Sequence, residues 1–101
     1  MLEIGMEIQD DVLNVSLKGK LDGMTFTEFE EQLESKRDEA QKIVIDATGL
    51  EYVSSAGLRV IMSTELYMEK NNKERIKITN ASDDIKEIIE LCGFDQVIDM
   101  E

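Results

Sequence analysis

The sequence predicts an α/β fold in which three helices pack mainly on one face of a mixed β-sheet. Three observations predict it. The 101-residue chain has the length of one domain and contains no Pro, low-complexity tract or repeat that would mark a boundary. Apolar residues recur at period two in some segments and at helical spacing in others. These patterns alternate in the order β-β-α-β-α-β-α-β, so we expect a single domain over residues 1–101.

The first elements are a hairpin and a helix. Alternating apolar residues over 2–8 and 13–17 predict two strands, and Asp10-Asp11 between them supplies the turn. A Thr-x-x-Glu capping box at Thr25 predicts a helix that ends near Ala40.

A buried strand and a second helix follow. Ile43-Val44-Ile45 is a short apolar run of β-branched residues, which predicts a central strand. Residues 47–53 are turn-rich, and Ser55 is a good N-cap for a helix that ends at Asn71-Asn72. Its predicted apolar face consists of Leu58, Ile61, Met62 and Leu66.

The last third of the chain predicts a strand, a helix and a short strand. Residues 75–79 alternate as a strand, and Ser82 can cap the third helix. Gly93 is a natural stop for that helix, and residues 97–100 form the last strand. The apolar stripe of the helix is Ile85, Ile88, Ile89 and Cys92, so we expect Cys92 to be a core residue.

Composition excludes several classes of function. The chain has 23 Asp and Glu against 11 Lys and Arg and no His, so its formal net charge is −12. A chain without His has no His general base, phosphorelay residue or zinc ligand, and its single Cys cannot form an internal disulfide. The negative charge disfavours nucleic acid and favours a protein partner with a basic or mixed surface.

No segment suggests secretion, membrane insertion or cofactor binding. The amino terminus lacks a basic segment followed by an apolar one, and no apolar run approaches the ~20 residues that span a bilayer. Gly-rich phosphate-binding motifs are absent. We therefore expect a cytoplasmic protein with no catalytic residue, metal or cofactor, monomeric when free.

The densest chemical signal is Ser54-Ser55-Ala56-Gly57-Leu58. Two hydroxyls lie where a loop becomes a helix, beside a Gly that permits close approach. Unpaired N–H groups and the dipole favour anions at such a position, so a phosphoserine would be tolerated there. The alternative is purely structural, with Ser55 as a cap and Gly57 relieving crowding.

Four segments occur together in an order and spacing typical of one protein family. They are Gly19-Lys20-Leu21-Asp22, Asp46-Ala47-Thr48-Gly49-Leu50, Ser54-Ser55-Ala56-Gly57-Leu58, and Asn80-Ala81-Ser82 with Cys92-Gly93-Phe94. They resemble the motifs of the STAS family, specifically its small stand-alone bacterial anti-sigma factor antagonists. The resemblance covers nearly the whole chain, and that family's fold agrees with the predicted order of elements.

The resemblance implies a non-enzymatic switch. The unmodified protein would bind an anti-sigma factor of the serine-kinase type and so free a sigma factor. The kinase would phosphorylate a Ser, and a metal-dependent phosphatase would reverse the modification. Asp46 would lie near the phosphoserine turn, and the implied partner contacts are Asp22, Met24, Ser54, Ser55, Ala56, Gly57 and Arg59. For Asp22 and Asp46 the structural alternative is hydrogen bonding to nearby backbone.

One position departs from the family pattern. In well-known members the phosphorylated Ser immediately precedes the Gly, where this chain has Ala56. Either Ser55 accepts the phosphate, with Ser54 as the weaker candidate, or phosphorylation does not switch the protein. The second case would suit a STAS scaffold subunit of a lipid-transport or stressosome-like assembly. A receiver-like phosphoacceptor at Asp46 is disfavoured, because the chain opens with a hairpin and offers three helices.

Overall fold

The computed structural model describes Met1–Glu101. Short 3-10 turns at Arg37–Glu39 and Phe94–Gln96 follow the first and third helices. The predicted α/β class and the order β-β-α-β-α-β-α-β are confirmed. The elements are β1 (Leu2–Gln9), β2 (Val12–Leu21), α1 (Phe26–Lys36), β3 (Lys42–Val53), α2 (Ser55–Lys70), β4 (Lys77–Thr79), α3 (Asp83–Leu91) and β5 (Asp99–Met100).

The five strands lie in the sheet in the order in which they occur in the chain. β1 and β2 are antiparallel, and every other neighbouring pair is parallel and joined by a helix. Right-handed crossovers that all step in one direction place their helices on the same face of the sheet. Burial agrees: on β2 the odd-numbered residues 13–17 are buried and the even-numbered residues 14–18 are exposed. The second face, which we call the open face, is therefore turned to solvent.

The predicted hairpin turn is confirmed. Gln9 pairs with Val12, so that Asp10 and Asp11 form a two-residue loop. Both have positive φ angles, 53° and 66°. This is the geometry of a type I′ turn, whose twist matches that of the flanking strands.

The central strand is longer than predicted. Residues 47–53 were expected to form turns, but β3 runs without a break through Val53. Its pairing with β2 is irregular at two places, where β3 contains one more residue than its partner. Such bulges break the period-two alternation that identifies a strand in sequence. As a result, Asp46 lies within the strand rather than at its end.

The cap of α2 is one residue earlier than predicted. Ser54, not Ser55, is the N-cap, and its hydroxyl accepts a hydrogen bond from the N–H of Gly57 at 3.3 Å. Ser55 is the first helical residue. Ser82 caps α3 as predicted, accepting from the N–H of Ile85 at 3.2 Å.

The buried faces of α2 and α3 are also displaced from the predicted stripes. Leu66 was expected in the core but is 54% exposed, and Cys92 is exposed rather than buried. Gly93 follows α3 in the left-handed conformation, with φ 76°, as its predicted stop role requires. None of the three helices has the length and apolar character needed to cross a bilayer. The buried residues of α2 are Gly57, Leu58, Val60, Ile61, Thr64, Glu65 and Met68.

Candidate partner-binding surface

The predicted site lies where β2 and β3 end side by side. Leu21 and Val53 are paired at the carboxyl ends of these parallel strands. The N–H of Ser54 then donates to the carbonyl of Leu21 at 2.8 Å. The segments 22–25 and 54–59 therefore leave the sheet next to each other, and we call these two segments the carboxyl edge.

Gly57 determines how closely α2 approaches β2. A Cβ at this position would lie 2.6 Å from Cγ of Leu21 and 3.1 Å from its carbonyl oxygen. A larger residue would require the buried side chain of Leu21, or the helix itself, to move. Gly57 is buried, so it positions the start of α2 and presents no side chain to a partner.

The two serines have different environments. Ser54 is half-buried and its hydroxyl is used by the cap, whereas Ser55 is exposed and its hydroxyl makes no hydrogen bond. Ala56 is half-buried. The first turn of α2 carries no acidic residue, although the first turns of α1 and α3 both do. The hydroxyl that is free at the positive end of the α2 dipole is therefore that of Ser55.

The loop before α1 is held by its own side chains. Asp22 Oδ1 accepts from the N–H of Met24 at 3.0 Å, and Thr25 Oγ1 accepts from the N–H of Asp22 at 2.9 Å. The hydrogen bond from the Met24 N–H lowers the pKa of the Asp22 carboxyl below its ordinary value. The capping box predicted at Thr25 is absent, because this hydroxyl accepts no N–H from α1 and instead donates to the carbonyl of Lys20 at 2.8 Å.

Exposed side chains complete the carboxyl edge. Met24 is 93% exposed, and Arg59 is exposed with no carboxylate within 4.0 Å. Tyr52, paired with Lys20 near the end of β3, is 46% exposed. Tyr52 was not among the residues expected at this surface. The available signal was an aromatic residue two positions before the serine pair, within a segment that was taken for a turn.

Asp46 does not belong to this surface, contrary to the expectation. It pairs with Ser16 in the middle of the sheet, and Leu21 is five residues farther along β2, roughly 16 Å at the rise of a strand. On the open face Asp46 Oδ1 accepts from the Thr48 hydroxyl at 2.5 Å and from Asn80 Nδ2 at 3.1 Å. The Thr48 hydroxyl, followed by the Asn80 amide, lowers the pKa of Asp46. Its contacts are those of a residue that orders the bulged part of β3.

Comparison with known proteins agrees with this fold. A family model described as "Mlab, STAS domain" matches residues 4–99. The "Anti-sigma-B factor antagonist" of Staphylococcus aureus is 32% identical over 94 residues, which cover 92% of this chain and 86% of that protein.

Solved structures show the same architecture. The crystal structure of an anti-sigma factor antagonist from Mycobacterium paratuberculosis has a TM-score of 0.86 at 23% identity, covering 99% of this chain and 85% of that one. The unphosphorylated form of the anti-sigma factor antagonist SpoIIAA has a TM-score of 0.79 at 15% identity, covering 98% of this chain and 87% of that one. The phosphorylated form of SpoIIAA, from Bacillus, has a TM-score of 0.77 at 14% identity, with 98% and 91% covered. Because the family model matches almost the whole length of this chain, the chain belongs to the STAS domain family.

Proposed function

We propose that the protein is an anti-sigma factor antagonist whose carboxyl edge binds a serine-kinase anti-sigma factor and so frees a sigma factor. The observation that carries the proposal is the Ser55 hydroxyl, exposed and unbonded at the start of α2. It lies within the motif that resembles the phosphorylated turn of the family. The S. aureus relative, which bears that function in its name, supports the assignment.

In this proposal phosphorylation of Ser55 ends the complex. The kinase transfers the γ-phosphoryl group of ATP to Ser55 Oγ, releasing ADP and a proton, and a metal-dependent phosphatase hydrolyses the ester. The phosphate adds about −1.5 to −2 charge. Asp22 already lies at the same edge, so a partner that fits the unmodified surface would have to bury an uncompensated charge. Each ~1.4 kcal/mol of that cost lowers affinity tenfold.

Ser55 is a better acceptor than Ser54 on geometric grounds. Phosphorylation of Ser54 would disrupt the hydrogen bond that caps α2, whereas the Ser55 hydroxyl can be modified without the loss of any intramolecular contact. The first turn of α2 has no carboxylate to repel the phosphate. The start of the helix therefore tolerates the modified residue.

The proposal describes a binding module rather than an enzyme. The ATP and magnesium of the phosphorylation step belong to the kinase. We infer that the protein meets this partner in the cytoplasm. We also infer that it is a monomer when free, because its net charge of −12 opposes self-association.

The experiment compares variants at the two serines. Incubation with the cognate kinase and ATP is expected to add one phosphate, retained in Ser54→Ala and absent from Ser55→Ala by intact-protein mass spectrometry. Ser55→Asp is expected to bind the unmodified protein's partner at least tenfold more weakly. Ser55→Asn, which has nearly the same size without the charge, should bind within threefold of wild type. Phosphate on Ser54, or equal binding by the Asp and Asn variants, would contradict the switch.

A second candidate function is that of a STAS scaffold subunit in a larger assembly without a phosphorylation cycle. Ala56 at the usual acceptor position favours it. It predicts that no kinase modifies the protein and that a permease or a lipid-transport ATPase is recovered with it from cells.

A further inference from the structure

The outer face of α2 carries an apolar strip in line with Ser55. At 100° per residue, the side chains of Ser55, Arg59, Met62 and Leu66 lie within about 60° of arc. The buried residues of α2 span about 160° of arc on the other side of the helix, and Leu58, the nearest of them, lies ~40° from Met62. Ser55 and Leu66 are 11 residues apart, which is ~16 Å along a helix.

The fold does not account for Leu66. Leu66 is 54% exposed, and other residues of α2, including the fully buried Met68, pack into the core instead. Met62, one turn earlier on the same face, is half-buried, so the two side chains form one continuous apolar strip. The other outward positions of this half of the helix are polar: Ser63, Glu69 and Lys70 are all exposed.

We propose that the anti-sigma factor surface that receives the start of α2 continues along this helix and closes over Met62 and Leu66. This inference rests on the proposed function. A standard interface of ~800 Å² on each partner is roughly 30 Å across, so a partner centred near Ser55 reaches Leu66 on the same rigid helix. The partner therefore carries an apolar pocket about 16 Å from the site that contacts Ser55.

Arg59 indicates which partner group would fit between Ser55 and the apolar strip. It lies between Ser55 and the apolar strip and has no carboxylate of its own chain within 4.0 Å. A partner carboxylate is the group that complements it. A second copy of this chain is a poor occupant, since each copy carries a net charge of −12.

The test compares two exposed leucines. Leu66→Gln removes the apolar side chain from α2, and Leu91→Gln makes the same change at the last residue of α3, which is 80% exposed. Gln has nearly the helix propensity of Leu, so both variants should fold and melt close to wild type. Leu66→Met retains an apolar side chain. Each purified serine-kinase anti-sigma factor of the source genome is titrated with the variants by calorimetry.

We expect at least a tenfold loss of affinity in Leu66→Gln and less than a twofold change in Leu91→Gln and Leu66→Met. If Leu66→Gln binds within twofold of wild type while Ser55→Asp is weakened, the extension along α2 is wrong and the proposed function stands. Equal losses in the two Gln variants would also overturn the assignment to α2. If wild type binds none of these kinases, the proposed function fails, and the extension fails with it.

Discussion

The two ends of α2 are held in different ways. At the carboxyl end of α2, side chains form the contacts. Glu65 accepts a hydrogen bond from the N–H of Ile76 at 2.8 Å. The Tyr67 hydroxyl donates to Asp38, and the Arg37 guanidinium lies 4.0 Å from the Tyr67 ring centroid. At its start the backbone of Gly57 packs against β2, and a single side-chain hydrogen bond caps the helix. Polar side chains stabilise one end, and close backbone packing stabilises the other.

This difference leaves the side chains at the start of α2 available. Ser55 and Arg59 are exposed and their side chains form no hydrogen bond or ion pair within the chain, so a kinase or a bound partner can engage them without unfolding the helix. Binding residues are commonly found on segments that a rigid scaffold positions. Substitutions at the two ends should therefore have distinguishable effects.

The largest effect is expected from Gly57→Val, which forces side-chain atoms into the contact with Leu21. Overpacking of this kind costs up to about 3 kcal/mol, and displacement of α2 should weaken partner binding as well. Gly23→Val is the control, because a Cβ at Gly23 meets nothing within 4 Å. Urea unfolding measures both variants, and equal stability of the two would show that close approach at Gly57 is unimportant.

At the other end of α2, Glu65→Leu should destabilise the protein by about 2 kcal/mol relative to Glu65→Gln. Leu leaves the buried N–H of Ile76 without an acceptor, whereas Gln keeps a carbonyl in place. Partner binding by the folded Glu65→Leu variant should remain within twofold of wild type. A large loss of binding would show that the two ends are not independent.

Glu65 should also give stability a specific dependence on pH. Burial raises the pKa of its carboxyl above the ordinary value of 4.5. Between pH 4.5 and the raised pKa, the folded protein holds a proton that the unfolded chain has released. The free energy of unfolding contributed by Glu65 therefore falls as pH rises through this window. Thermal melts of wild type and Glu65→Gln should diverge as pH increases, with the Gln variant more stable; parallel curves would contradict the prediction.

The smallest expected difference in stability is that between the Ala variants of Ser54 and Ser55. Ser54→Ala removes the cap of α2 and should cost ~1 kcal/mol, whereas Ser55→Ala removes no contact and should change stability by less than about 0.5 kcal/mol. Chemical denaturation of the two variants measures the difference. The reverse order would assign the cap to Ser55, as the sequence alone had suggested.

Local patterns were sufficient to predict several elements of this fold. The alternation on both sides of Asp10-Asp11 predicted the hairpin, and the cap and stop signals at Ser82 and Gly93 predicted α3. These features depend on residues close in sequence, whose preferences are visible without tertiary contacts.

The errors at Thr25 and Ser55 concern local caps, whereas the larger errors arose where residues distant in sequence decide. The bulges of β3 form through pairing with β2, so Ala47 and Gly49 were interpreted as turn residues. On α2 the apolar stripe was predicted to include Leu66, but the buried face includes Glu65, whose partner is the N–H of Ile76 at the start of another segment. Sequence spacing alone cannot show that a carboxylate has such a partner. The expectation that Asp46 lies near the phosphoserine turn came from the family resemblance, and the added length of β3 places Asp46 in the middle of the sheet instead.

The order of the strands has a consequence for how the chain folds. Every strand pairs only with the strands immediately before and after it in the chain. Only the hairpin closes a short loop, because each parallel pairing has to wait for the helix that joins its two strands: Leu13 pairs with Ile43, and Ile45 with Ile78. The hairpin and β3 form the longest pairings, whereas β4 and β5 contain three and two residues and add to an existing edge. During synthesis the sheet can therefore grow in one direction, each strand joining a template that is already complete.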